Sequence, residues 1–178
     1  RFNLISNAGN RVTTIEANFD IKHIGGSYKN GFGFILPVAS SKIKNVENQV
    51  LNSGYSNQAS NGTEVGMQES VIFVIENAIA YAGESITIKI NLSSPVSKND
   101  LVSAPFNPFI IIDGEREKEL HLPDMVPTEK GKTYLGQLDD FSNPTTGRYF
   151  KTERNLPWAL NIYGNFIPPE EKVSIDKV

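Results

Sequence analysis

The chain has 178 residues, 39% of them apolar and 10% aromatic, which suits one domain able to bury a sizeable core. A net charge of −3, from 17 basic and 20 acidic residues, leaves no electrostatic footprint for phosphate and excludes nucleic acid as an expected partner. No run approaches the roughly 20 apolar residues that cross a bilayer, so no membrane insertion is expected of this segment. The absence of cysteine rules out disulfide staples, thiolate metal sites and cysteine nucleophiles.

Residues Arg1 to Ser6 read as a short strand, and Asn7-Ala8-Gly9-Asn10 is turn chemistry. Opening at Arg1 without a Met and in mid-pattern suggests a piece of a longer chain, with flanking domains and any leader or anchor upstream. From Ile15 onward, Ile15, Ala17, Phe19 and Ile21 alternate with polar residues, the period of a strand with one buried face. Gly31-Phe32-Gly33-Phe34-Ile35-Leu36 is a second apolar run, and Thr14 to Pro37 together read as one β-hairpin, with glycines where the backbone bends or is closely approached.

Ser40 to Val50 alternates weakly, and Asn52 to Gly62 is a polar surface loop with almost nothing to bury, closing on the tight-turn dipeptide Asn61-Gly62. Ser70 to Glu76 is a β-branched run read as a central strand covered on both sides. Ile86, Ile88, Ile90 and Leu92 form a half-buried strand, and Ser93 to Asp100, containing Pro95, is the next loop. Phe109 to Ile112 is a core strand, Asp113-Gly114 a hairpin turn, and Glu115 to Leu122 a charged return strand with the look of an exposed edge. From Thr128 to Asn155 the chain is irregular, anchored by Tyr134, Leu135, Leu138 and Phe141. Alternation returns at Trp158 to Tyr163, with Trp158 read as core, before Pro168-Pro169. No long helix can be placed. The pattern predicts an all-β, antiparallel β-sandwich of jelly-roll type with long loops and little helix, as one domain over 1–178.

Nucleotide and hydrolase motifs fail. Gly131-Lys132-Thr133 ends like a phosphate loop, but Val126 occupies the position of its leading glycine. His23 and His121 stand far apart in predicted strands, where a lone histidine is usually a half-buried polar residue. Asp139, Asp140 and Asn143 supply hard oxygens in a loop, which is the chemistry calcium takes. The plainer and preferred reading is that Asp139 or Asp140 accepts from backbone amides in a turn. Asp113 and Glu115 form a second acidic turn. Tyr28 and Asn30, Tyr55 and Arg148 are the candidate ligand contacts, the two tyrosines because they fall in predicted loops.

Three blocks then stand out. They are Gly25 to Pro37; Asn107-Pro108-Phe109-Ile110 with Glu119-Leu120-His121-Leu122-Pro123 and Pro127-Thr128; and Gly147-Arg148-Tyr149-Phe150-Lys151-Thr152 with Asn155-Leu156-Pro157-Trp158-Ala159-Leu160. In order and spacing they resemble the LruC-type domain of exported and lipid-anchored surface proteins of Gram-negative bacteria. Asp139-Asp140 and Pro168-Glu170-Lys172 also sit where that pattern has them. The resemblance implies an extracellular or outer-membrane surface location, a β-rich fold and no catalytic residues. The family's acidic opening segment and aromatic C-terminal stretch would fall before Arg1 and after Val178. The expected function is a non-catalytic surface or secreted module that binds a glycan or protein ligand. A carbohydrate-active domain, as a glycan-binding module or a hydrolase using Asp139 or Asp140, is the alternative.

Overall fold

The structure is a computed structural model that describes residues 1–101, 104, 106–162 and 164. The expectations for Tyr163, Pro168-Pro169 and the segment to Val178 lie outside the described residues. Among the described residues, eight strands form two antiparallel sheets. The first sheet holds β1 (Phe2–Ser6), β2 (Val12–Asp20), β4 (Ile43–Glu47) and β6 (Ser85–Val96), in the order β1-β2-β6-β4. The second holds β3 (Gly31–Ala39), β5 (Glu69–Ile75), β7 (Asn107–Ile111) and β8 (Glu119–His121), in the order β5-β3-β7-β8. Helix is confined to short 3-10 turns among the described residues, as the sandwich reading expected.

The hairpin expected over Thr14 to Pro37 does not form, because β2 and β3 lie in different sheets. Their alternation is real, but the faces meet across the core instead of sharing a ladder. Phe19 contacts Phe32 and Phe34 with ring centroids 5.2 and 5.9 Å apart. Residues 21–30 are therefore an arch from one sheet to the other. β2 pairs with β6, matching Ile15 to Ile90 and Ala17 to Ile88, so two strands of equal period bury the same face. The core between the sheets is closed by Phe34, Leu36, Ile72, Val74, Ile88 and Ile90. Each such side chain contributes about 1.5–3 kcal/mol on burial.

The run at 70–76 is covered on both faces as expected, yet β5 is an edge strand and not a central one. Its free edge is capped by loop backbone: Val50 N donates to Val74 O (2.9 Å), Glu76 N to Val50 O (3.0 Å) and Glu64 N to Val71 O (2.9 Å). An edge paired in this way needs no charges to protect it. Pro95 does not end β6, which runs on to Val96. The register against β2 jumps between Val12 and Thr14, and Pro95 falls in that bulge, where no ladder donor is required.

The second sheet is also covered on its far side. Ile35, Val71, Phe73, Phe109 and Ile111 form a second buried cluster there, with Tyr55 and Met67 packed against it. The cover comes from the segments 48–66, 113–134 and 141–158. Trp158, expected in the core, is 42% exposed, and the expected anchor Leu138 is 99% exposed. The anchors of that region are instead Tyr149 and Phe150, both buried.

Candidate functional site

Gly33 of β3 is registered against Phe73 on one side and Phe109 on the other, and Phe109 against His121. With no side chain on Gly33, the two phenyl rings close over it edge to face, 5.8 Å apart. His121 stacks on Phe109 and on Phe150, at 5.0 Å in each case. The Arg116 guanidinium lies over this row, 5.2 Å from the Phe73 centroid and 5.8 Å from that of Phe109.

The charged return strand does lie at the sheet edge as β8, and Glu115 and Glu117 are exposed, but Arg116 and Glu119 are inside. Asp113-Gly114 makes the expected turn, with Glu115 N donating to Ile112 O (3.0 Å), but a second turn follows at once, Lys118 N to Glu115 O (2.8 Å). That second turn brings Arg116 inward. Arg116 donates to both oxygens of Glu64, to Glu119 and to Thr128, while Lys130 reaches Glu64 at 2.9 Å. Glu119 also accepts from Thr128 N at 2.9 Å and meets His121 Nε2 at 2.9 Å; His121 Nδ1 meets Asn107 Oδ1 at 2.7 Å. Burial works against the Glu119 charge, but His121, Arg116 and Thr128 outweigh it and hold the carboxyl below its usual range. For His121 burial wins, and its basicity is lowered despite Glu119. Every member of the cluster is engaged with another and His121 is wholly buried, so the arrangement is a support for the covering loops.

The polar loop at 52–62 is held the same way. The buried Glu76 carboxylate accepts from Ser53 N (2.7 Å), Gly54 N (2.6 Å), Ser56 N (3.1 Å) and Ser56 Oγ (2.5 Å). Burial pushes that carboxyl up, and these four donors outweigh it and leave it lowered.

The open site lies where the arch 21–30 leaves the sandwich. A groove of about 1300 Å³ is floored by Phe19, Ile21 and Ile86 of the first sheet side and Phe32 and Ile110 of the second, with Ile79 at its edge. Tyr28, 60% exposed, and Asn30 line it. Asn30 Oδ1 accepts from Asp113 N and Asp113 Oδ1 from Lys29 N, both at 3.1 Å, which ties the arch to the turn after β7. Tyr55 stands behind this tie. Its ring packs on Phe73 at 5.9 Å, its hydroxyl sits where a Cβ on Gly31 would be, and burial with the Glu76 charge pushes the phenol pKa up.

Of the residues read from sequence as ligand contacts, the structure brings Tyr28 and Asn30 to one groove with Tyr55 as their support. Arg148 is elsewhere, donating to the carbonyls of Thr152 and Glu153 within its own loop. Within the Asp139, Asp140 and Asn143 trio, Asp140 and Asn143 spend side-chain oxygens locally. Asp140 accepts from Gly136 N (2.9 Å) and Ser142 Oγ (2.9 Å), and Asn143 Oδ1 from Thr145 N (3.0 Å) as a helix cap. Asp139 is exposed. Asp140 and Asn143 thus serve the turn, and among the described residues no three or more His, Cys, Asp or Glu side chains are grouped to hold a metal ion. Lys22 and Ile79 of the groove, and Glu64 of the buried cluster, escaped sequence reasoning, while His23, read as a half-buried strand residue, is exposed outside any strand, and Ile110, read as core, is 36% exposed. Only the same-face spacing of Glu119 and His121 could have signalled the cluster.

The fold and groove define a two-sheet β-sandwich module with one covered sheet and one open end. Residues 10–178 match a family model described as a domain of unknown function, DUF4842, and the chain belongs to that family. The match starts after β1, although Phe2 of that strand packs on Phe19, Phe34 and Phe106 in the core. No curated protein and no solved structure matches the chain.

Proposed function

We propose that this chain is a non-catalytic recognition module of a secreted or cell-surface protein, and that its ligand is held in the groove beside the arch 21–30. The observation that carries this reading is the groove itself: an apolar floor open to solvent at the end of a sandwich whose buried charges, Arg116, Glu64 and Glu119, are internally paired. The resemblance to the LruC-type domain supports the surface location, and flanking domains of the parent chain would present the groove. A second reading, a glycan-binding face, has one observation in its favour, the exposed Tyr28 ring at the groove, since sugar rings stack on flat exposed aromatics. A glycan array probed with the chain and with Tyr28→Ala tests both. Sugar binding lost in the variant supports the second reading. Sugar binding retained in Tyr28→Ala removes the groove from the account.

A further inference from the structure

The arch has an unusual backbone. Ile21 N donates to Glu84 O (2.9 Å) and Gly83 N to Ile21 O (2.7 Å), and the next main-chain bond is Asn30 N to Tyr28 O (2.9 Å). Between them, the N–H and C=O groups of residues 22–27 make no hydrogen bond among the described residues. An unpaired run of main chain is satisfied by water or by a strand supplied from outside. It borders the apolar floor, where Ile79 and Ile110 remain 40% and 36% exposed.

The charge of the rim narrows the occupant. Arg1, Lys22 and His23 line the groove, while the one acidic residue of its lining, Asp20, is engaged by Lys22 (3.6 Å) and Ser85 (2.5 Å). With Lys22 set against Asp20, the lining keeps one net positive charge, at Arg1, on a chain of net charge −3. We propose that the groove takes an extended polypeptide whose main chain pairs with residues 22–27, whose alternate apolar side chains rest on the floor, and whose intervening acidic residues meet Arg1 and Lys22. Strand addition gives affinity through the backbone, and the alternate side chains give selectivity. The inference rests on the recognition reading above and names its partner class.

The test is an amide-resolved NMR titration of the chain with four probes: a short capped peptide alternating Glu with Val and Ile, the same peptide with Lys for Glu, cellohexaose, and dodecanoate. The acidic peptide is expected to shift the amides of residues 22–27 together with Ile79 and Ile110, and to bind more tightly than the basic one. Gly26→Glu adds a like charge at a position where a Cβ meets no heavy atom within 4 Å. It is expected to leave the rest of the spectrum unchanged and to weaken the acidic peptide about tenfold. Equal binding of both peptides, or shifts confined to other surfaces, overturns the proposal. Shifts of the groove amides by cellohexaose or dodecanoate without the peptide overturn the polypeptide assignment and keep a recognition groove. Silence from all four probes overturns both.

Discussion

Phe73 and Phe109 meet edge to face, 5.8 Å apart, across a strand that separates them, because the residue between them is Gly33. A Cβ there would lie 2.8 Å from Ile72 O and 2.9 Å from Phe109 Cζ, and the first of these is backbone that cannot swing away. Gly33→Ala is therefore expected to cost about 1–3 kcal/mol by overpacking. Gly26→Ala, in open space, is expected to stay within about 0.5 kcal/mol of the parent. Urea unfolding of the two variants decides it, and equal midpoints would show that the second buried cluster is loosely packed.

Arg116 compensates two buried carboxylates, Glu64 and Glu119, with side chains 0% exposed. Arg116→Met is expected to lose about 3–5 kcal/mol, since it strands charge that burial has stripped of water. Adding Glu64→Gln to that variant should recover part of the loss. A double variant that is no more stable than Arg116→Met in the same denaturation experiment speaks against charge as the cause.

Acid should loosen the domain in two stages. The folded His121 resists a proton that the unfolded chain accepts near 6.5, so its contribution is complete above that pH and declines as the pH falls toward the lower folded value. Glu76 and Glu119, with folded values below the ordinary 4.5, contribute fully above 4.5 and lose their contribution as the pH falls through those lower values. Unfolding midpoints measured from neutral pH downward should show both stages, and His121→Gln should abolish the upper one. An unchanged upper stage in that variant would assign it to another group.

Asp140 and Asp139 are adjacent but not equivalent. Asp140→Ala removes acceptors for Gly136 N and Ser142 Oγ and should cost about 0.5–1.5 kcal/mol, while exposed Asp139→Ala should be near neutral. Thermal melts of the two variants distinguish them.

With the oxygens of Asp140 and Asn143 already committed to the turn, calcium is expected to leave the melting temperature of this chain unchanged. A rise at millimolar calcium that Asp139→Ala and Asp140→Ala abolish would place a cation there after all.

Period-two alternation in Ile15 to Phe19 and in Ile86 to Leu92 was enough to establish an all-β sandwich, because which side chains must leave water is a local property of a strand. Alternation does not say which strand lies beside which. β2 and β3 show compatible patterns whether they share a ladder or face each other, and only the packing of Phe19 on Phe32 and Phe34 decided for facing. The groove owes its existence to that choice, since a hairpin would have closed residues 21–30 into a turn. The charged positions misled for a related reason. Arg116, Glu119 and Glu64 look solvated one at a time, and become core residues only when distant segments bring opposite charges within hydrogen-bonding reach. Burial of a lone apolar side chain can be read along the chain; burial of a charge depends on a partner that sequence order does not reveal, Glu64 being separated from Arg116 by 52 positions.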